Sequence, residues 1–278
     1  MSAAMSQLCP DQYQRFASFL QQQSGIELGD NKQYLVRSRL TPLLERHNHS
    51  TLADLVHAAM QMGQHQLRTE VVEAMTTNET FWFRDGYPFE LMLTEVLPEL
   101  AGRVGRPRIW SAACSSGQEP YSLAMTLQEF RLKNPGRLMQ GAELLATDID
   151  NQILAQAQAG EYDALAMARG LTEQRKQRFF EPLERGRMRI KPELRQAVSF
   201  RRANLLDSYV LLGKFDVIFC RNVLIYFSPD NKRKILRQFA AALNPGGYLF
   251  LGASESLSGL ADEFEMVRYP GGMVYRRR

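Results

Sequence analysis

The stretch that most constrains this chain is Pro107 to Leu127, PRIWSAACSSGQEPYSLAMTL, where a short apolar run breaks into small residues and then into helical spacing. Arg108 to Ala112 reads as a strand and Cys114 to Gly117 as a tight turn. A helix is predicted to begin at or near Pro120, a residue type favoured at first helical positions. Strand, turn and helix open a βαβ unit, and the turn of such a unit is where a nucleotide-like cofactor meets a helix N-terminus. An ordinary strand-to-helix connection would read the same way. Gly117 is the one glycine of the turn, and the Gly-x-Gly-x-x-Gly fingerprint is absent.

A chain of 278 residues, 45% hydrophobic and 23% charged, has room for one large domain or a medium one with a small companion. The excess of 34 basic over 30 acidic residues permits an acidic partner without demanding nucleic acid. Cys9, Cys114 and Cys220 are scattered and lack metal-ligand spacing, so neither a metal site nor a disulfide framework is expected, and a reducing compartment fits. The N-terminus MSAAMSQLCPDQYQRF has no apolar leader pattern, and no apolar run approaches the ~18 residues of a membrane span. A cytoplasmic protein without direct membrane insertion is expected.

From Pro10 to about Asp85 the spacing is helical. Tyr13, Phe16, Phe19 and Leu20 share one face of a first helix that Gly25 should stop. A second, NKQYLVRSRLTPLLERH, is read with Tyr34, Leu35, Leu40, Leu43 and Leu44 inward, and with Pro42 ending or kinking it. Ser50 is taken as the cap of a third helix, and a fourth runs from about Gln64 to Met75. The four histidines lie here and read as surface residues. Residues 1–85 are therefore expected to form a helical domain and linker. The linker TTNETFWFRD interleaves Asn78, Thr80 and Arg84 with Phe81, Trp82 and Phe83, which suits either a seal between domains or a lid over a ligand.

Residues 86–278 read as α/β. Glu143 to Thr147 is a strand ending in Asp148, an acidic residue placed to accept hydrogen bonds from ribose hydroxyls or to cap the next helix. Residues 160–195 interrupt the alternation and are predicted to form a small inserted subdomain with antiparallel strands. Val198 to Arg202 is a strand with Asn204 and Leu205 just past its end, and Phe215 to Phe219 is a buried strand that delivers Cys220, Arg221 and Asn222 to the same edge. NPGGYLFLGAS reads as turn plus strand, and FEMVRYPGGMVYRR as a closing hairpin.

Taken in order, TTNETFWFRD, SAACSSGQEPYSLAM, ATDID, ANLLD, FDVIFCRNVLIYF and LNPGGYLFLGASES resemble the motifs of the bacterial chemoreceptor glutamate methyltransferases of the CheR type. The resemblance covers essentially the whole chain. It implies a Rossmann-like S-adenosylmethionine-dependent methyltransferase fold: a mostly parallel sheet with an antiparallel C-terminal strand, a preceding all-α domain and a small antiparallel β insertion. It further implies methylation of glutamate side chains on the cytoplasmic region of chemoreceptors in chemosensory adaptation, with S-adenosylhomocysteine as product.

Carried over residue by residue, the resemblance implies that Asn78, Thr80 and Arg84 close over the cofactor, with Arg84 beside the reactive methyl. Glu119 would meet the charged methionine end, Asp148 the ribose, Asn204 and Leu205 the adenine edge, and Arg221 and Asn222 the region near the methionine moiety. Tyr226 is a further candidate at the transfer site, or else a half-buried core tyrosine. A glutamate carboxylate is already ionised at neutral pH, so no general base is required.

Family members that dock on a C-terminal receptor pentapeptide carry a longer loop than Glu181 to Arg187 allows, so a pentapeptide-independent enzyme is expected; separately, a monomer is expected. It would recognise acidic methylation helices with Arg37 and Arg39. Two rival readings are a nucleic-acid methyltransferase and a cofactor-binding signalling module without catalysis. Against the first, CRNV stands where amino-methylating enzymes of that class carry an Asn/Asp-Pro-Pro-aromatic motif to hold a flipped base.

Overall fold

The computed structural model describes residues 7–257 and 259–278; the start of the N-terminal stretch, residues 1–6, lies outside them. Contacts divide the chain into two units, one reaching to Thr77 and including Tyr226–Asn231, the other formed by Asn78–Ile225 and Lys232–Arg278. Among the described residues no helix is long and apolar enough to cross a membrane.

The first unit holds α1 (Pro10–Ser24), α2 (Gln33–Arg46), α3 (Leu52–Met60) and α4 (His65–Ala74). Pro10 opens α1, and Gly25 closes it in the left-handed conformation at φ 80°. On α2 the buried face is Val36, Leu40, Leu43 and Leu44. This corrects the expected inward set, because Tyr34 is exposed: two residues before Val36, it lies about 200° around the helix, on the opposite side. Nor does Pro42 end α2, which runs on to Arg46 with the proline on its exposed face. The helix forgoes one N–H bond there and keeps the packing of Leu43 and Leu44. Thr51, not Ser50, caps α3, its hydroxyl oxygen accepting from Asp54 N at 3.1 Å. His47 is also less superficial than expected, being half-buried and 2.8 Å from Glu70. Arg39 reaches the end of α4, donating to Met75 O at 2.6 Å and Thr77 Oγ1 at 2.9 Å.

In the second unit, α5 (Tyr87–Leu91), a single π turn and α6 (Leu97–Leu100) precede β1 (Arg108–Ala112), α7 (Gln118–Lys133), β2 (Glu143–Asp148) and α8 (Asn151–Ala159). Next come β3 (Glu161–Tyr162), α9 (Ala164–Met167), α10 (Glu173–Phe179), β4 (Phe180–Pro182), β5 (Met188–Ile190), α11 (Pro192–Gln196) and β6 (Val198–Arg202). The chain closes with β7 (Phe215–Cys220), α12 (Pro229–Ala242), β8 (Leu243–Leu251), β9 (Phe264–Tyr269) and β10 (Gly272–Arg277).

Seven of the strands form one sheet in the order β6-β2-β1-β7-β8-β10-β9, in which β10 runs antiparallel to both neighbours and the ladders from β6 to β8 are parallel. The inserted segment folds as a separate antiparallel sheet, β3-β5-β4. β1 and β7 are buried on both faces, which is why they read as continuous apolar runs. On one face Trp110 packs against Tyr209, Phe215 and Phe239 at ring distances of 4.9–5.4 Å.

α7 begins at Gln118, two residues before the expected start. Gly117, at φ 94°, forms the N-cap, and Pro120 falls within the first turn, where its missing N–H would have had no helical partner. A Cβ at residue 117 would meet Ala157, Tyr162 and Tyr121 at 3.0–3.2 Å, so the turn requires glycine for its angle and for its packing.

Candidate functional site

The chain leaves β1 for β2 on one side, while β7 lies on the other, so the switch point of the sheet falls between β1 and β7. The connections at the C-terminal ends of β1, β2, β6, β7 and β8 therefore gather along one edge. Eight non-glycine residues among those described have positive φ, and five of them, Phe83, Asp85, Ala113, Ser115 and Asn222, lie in this edge or in the segment packed on it. Each such angle costs about 1–3 kcal/mol and persists where the surroundings impose it. That concentration marks the edge as a built site.

Its centre is ionic. Arg221, directly after β7, is buried with its side chain 1% exposed. Its Nη1 donates to Glu119 Oε2 at 3.2 Å, and its Nη2 to Asp85 Oδ2 at 2.6 Å and Arg84 O at 2.9 Å. Ser111 Oγ donates to the other oxygen of Glu119 at 2.8 Å. Burial pushes the Glu119 carboxyl above its ordinary range, and Arg221, Ser111 and the charge of Arg84 oppose that push. One guanidinium thus ties α7, the end of β7 and the segment around Arg84 into a single cluster.

The second carboxylate, Asp148, ends β2 and is also pushed up by burial. It accepts from Ser115 N at 2.8 Å and Asp150 N at 3.1 Å. The helix-capping alternative belongs to its neighbour: Asp150 accepts from Gln152 N and Ile153 N at the start of α8. Asn78 joins the group, its Nδ2 donating to Asp150 Oδ2 at 2.9 Å and its carbonyl accepting from Ser115 Oγ at 2.8 Å. After β6, Asn204 folds its Oδ1 onto Leu206 N at 3.0 Å, and Leu205 is buried. Asn222 sits at φ 59°, with its Oδ1 buried and without a hydrogen-bond partner.

The segment 78–85 is held from outside by the inserted region. Trp82 is fully buried, donates from Nε1 to Ala166 O at 3.0 Å and packs edge-on against Tyr162 and Phe180 at 4.8 and 5.2 Å. Arg169 lies over Phe81 at 3.6 Å, and Arg175, held by two bonds to Glu129, lies over Phe83 at 3.7 Å. Arg84 Nη1 donates to Glu79 O at 3.1 Å, and Thr80 is half-buried.

At Gly170, φ 89°, a Cβ would come within 1.8 Å of Trp82 O. Gly170→Ala is therefore expected to destabilise the protein by about 2–4 kcal/mol, combining steric overpacking with left-handed strain. A urea unfolding curve with an unchanged midpoint would show that this packing is soft.

The structure thus joins Glu119, Arg221 and the Arg84 carbonyl in one ion cluster and Asn78, Ser115, Asp148 and Asp150 in a second bonded group along the same edge, with Asn222 directly after Arg221 and Asn204 and Leu205 at the next strand end. Tyr226 groups with the helical unit, where its carbonyl accepts from Glu27 N at 2.8 Å. Two participants carried no signal of their own in the sequence: Asp85, which extends the ion cluster, and Glu255, which receives the backbone after β7. An acidic residue inside a motif already dense in chemistry was the available hint for both.

A buried carboxylate at the β1–α7 turn, a second at the end of β2 and an unpartnered amide oxygen after β7 suit a ligand carrying an ammonium and a diol. They do not suit a pyrophosphate. With the sheet order, these features define a Rossmann-like S-adenosylmethionine-dependent methyltransferase. The chain belongs to the CheR methyltransferase family: residues 11–76 match its all-alpha domain and residues 78–273 its SAM binding domain. The cofactor is S-adenosylmethionine.

Among curated relatives, the chain is 55% identical over 265 residues to chemotaxis protein methyltransferase 1 of Vibrio cholerae, covering 95% of this chain and 96% of the relative. It is 54% identical over 268 residues to the protein of the same name from Pseudomonas aeruginosa, covering 96% and 97%. Against the Escherichia coli chemotaxis protein methyltransferase the identity is 37% over 262 residues, covering 91% and 87%.

Proposed function

We propose that this chain esterifies specific glutamate side chains on the cytoplasmic region of chemoreceptors, acting as a protein-glutamate O-methyltransferase in chemosensory adaptation. The observation that carries the reading is the ion cluster of Glu119, Arg221 and Asp85 beside Arg84 at the sheet edge, while among the described residues the histidines all lie in the helical unit. Cys114 and Cys220 are buried with their thiols pushed well up, mainly by burial, so neither supplies a nucleophile. Such a site fits a reaction whose nucleophile arrives already ionised.

When bound, S-adenosylmethionine supplies a methyl group on a positively charged sulfur. Glu119 holds the ammonium of the methionine end, Asp148 the ribose hydroxyls, Asn204 and Leu205 the adenine edge, and Asn78 and Thr80 line the covering segment. Arg221 fixes Glu119 and Asp85. Arg84 orients the incoming carboxylate and limits what its desolvation costs. The helical unit offers α2 to acidic methylation helices. Arg37 is exposed there, whereas Arg39 contributes through its bonds to Met75 and Thr77.

In the insertion, Leu183 N bonds Arg187 O at 2.8 Å across a tight turn, which favours recognition independent of a receptor pentapeptide. The protein works as a cytoplasmic monomer, with residues 1–85 as helical domain and linker and 86–278 as the catalytic domain.

Incubation with labelled S-adenosylmethionine and a receptor cytoplasmic domain should give protein-bound label released by base as methanol. Label transferred to RNA, or binding without transfer, would refute the reading. Tight calorimetric binding of a receptor C-terminal peptide would refute pentapeptide independence.

The raised pKa values of Glu119 and Asp148, both pushed up by burial, set a pH dependence. In the ligand-free protein both contribute stability that is present below ordinary carboxylate values and lost as pH rises through their raised values. Holding a cation requires Glu119 ionised, so binding moves the opposite way. Affinity for S-adenosylhomocysteine should fall as pH drops from neutral toward 5, and Glu119→Gln should weaken binding and flatten that slope. A Gln variant with the wild-type slope would remove Glu119 from the ammonium site.

A further inference from the structure

Glu255 is 6% exposed, and the four donors described for it are all backbone. Its Oε2 accepts from Asn222 N and Gly252 N, each at 2.7 Å, and its Oε1 accepts from Val223 N at 3.0 Å and Ile225 N at 3.3 Å. Three of these N–H groups belong to the turn that leaves β7, and the fourth to the end of β8. A turn carrying Asn222 at φ 59° would relax if nothing held it, and a buried carboxylate satisfying four amides is a strong restraint. The packing is tight as well. A Cβ at Gly252 would fall 2.7 Å from Asn222 Nδ2 and 2.8 Å from Glu255 Oε2.

The first two residues of this turn are those that matter to the site. Arg221 begins it and faces Glu119 and Asp85, while the Asn222 amide is clamped so that its oxygen stays buried and unpartnered. We infer that Glu255 is a positioning residue of the methyl-donor site, holding the turn from Arg221 to Ile225 so that Arg221 faces Glu119 and the Asn222 side-chain oxygen stays free to accept from the cofactor. The inference rests on the S-adenosylmethionine reading of this edge. Glu255 touches neither cofactor nor substrate.

The test compares wild type with Glu255→Gln and Glu255→Asp by calorimetric titration of S-adenosylhomocysteine, kinetics on a receptor cytoplasmic domain and thermal unfolding. Glutamine keeps the shape but replaces one acceptor oxygen with a donor aimed at backbone N–H groups, and aspartate keeps the charge one methylene short. Both variants should bind S-adenosylhomocysteine at least tenfold more weakly, with KM for S-adenosylmethionine rising in parallel and KM for the receptor domain unchanged. Glu255→Gln should add little to Asn222→Ala, because the two act through one turn.

A purely structural role would lower the melting temperature and leave both KM values alone well below it. That outcome, or wild-type affinity in either variant, overturns the inference; if one variant does not fold, the other decides. Wild-type protein that fails to bind S-adenosylhomocysteine would instead sink the cofactor reading on which the inference stands.

Discussion

Arg221→Ala should lose about 3–5 kcal/mol of stability, the range for removing one partner of a buried ion pair. The guanidinium is enclosed and supplies bonds to Glu119, to Asp85 and to the carbonyl of Arg84. Without it, Glu119 sits in a pocket that already disfavours its charge, with Ser111 as its remaining bonded partner. Arg221 now lowers the Glu119 pKa, so its removal raises that pKa further. The contribution of Glu119 is then lost as pH rises through the new value, and the destabilisation should be larger at pH 8 than at pH 5. Adding Glu119→Gln should restore part of the loss by removing the orphaned charge. Denaturant unfolding at the two pH values measures both effects. A loss under 1 kcal/mol with no pH dependence would mean that water screens the cluster.

Arg84→Ala should fall hardest on turnover. Its guanidinium donates to Glu79 O and lies 5.3 Å from the centre of the Phe81 ring, on the segment that Arg221 anchors through the Arg84 carbonyl. The proposed role is to orient a carboxylate at the moment of transfer, and loss of one preorganised electrostatic group of this kind reduces kcat by about 10²–10³-fold. Binding of S-adenosylhomocysteine, for which Glu119 and Asp148 are the proposed main ligands, should change less than about fivefold, because Arg84 makes no bond to either carboxylate in this structure. Single-turnover kinetics beside calorimetry separates the two. Equal losses in binding and turnover would make Arg84 a cofactor ligand, and unchanged turnover would take it out of the mechanism.

Much of the fold is legible in the chain because its signals are local. β1 and β2 end where the apolar runs end and Gly25 stops α1, while the mostly parallel sheet with an antiparallel C-terminal strand is what the family resemblance implies. The misreadings have local causes too. Tyr34 is expected inward, yet the phase of α2 is set by Val36, Leu40 and Leu43; Pro42 is expected to end or kink the helix, yet α2 does not end there, with buried leucines on both sides of it. The α7 start, expected at or near Pro120, falls two residues earlier at Gln118, where a left-handed Gly117 forms the cap.

The site divides the same way. That Glu119, Asp148, Arg221 and Asn222 occupy one edge follows from the sequence, since every parallel strand delivers the residues after it to the same side of a sheet. Which of them bond to which does not follow. Arg221 lies 102 residues from Glu119 and 136 from Asp85, and their meeting depends on β7 pairing beside β1 and on the 78–85 segment lying over the switch point. Likewise Asp148 and Asp150 are equivalent in composition, and only the backbone decides that one faces Ser115 while the other caps α8.

Glu255 is the clearest case. Thirty-three residues separate it from Asn222, and its partners are backbone amides, which carry no side-chain signature. By itself the sequence determined the strands, the helices and the residue types at the edge, because period and turn chemistry act over a few residues, while the cofactor is implied by the resemblance of its spaced motifs to a family. Tertiary structure alone decided the ion cluster and the buried carboxylate beneath the Asn222 turn, because those bonds exist only once distant strands lie side by side and water has left the space between them.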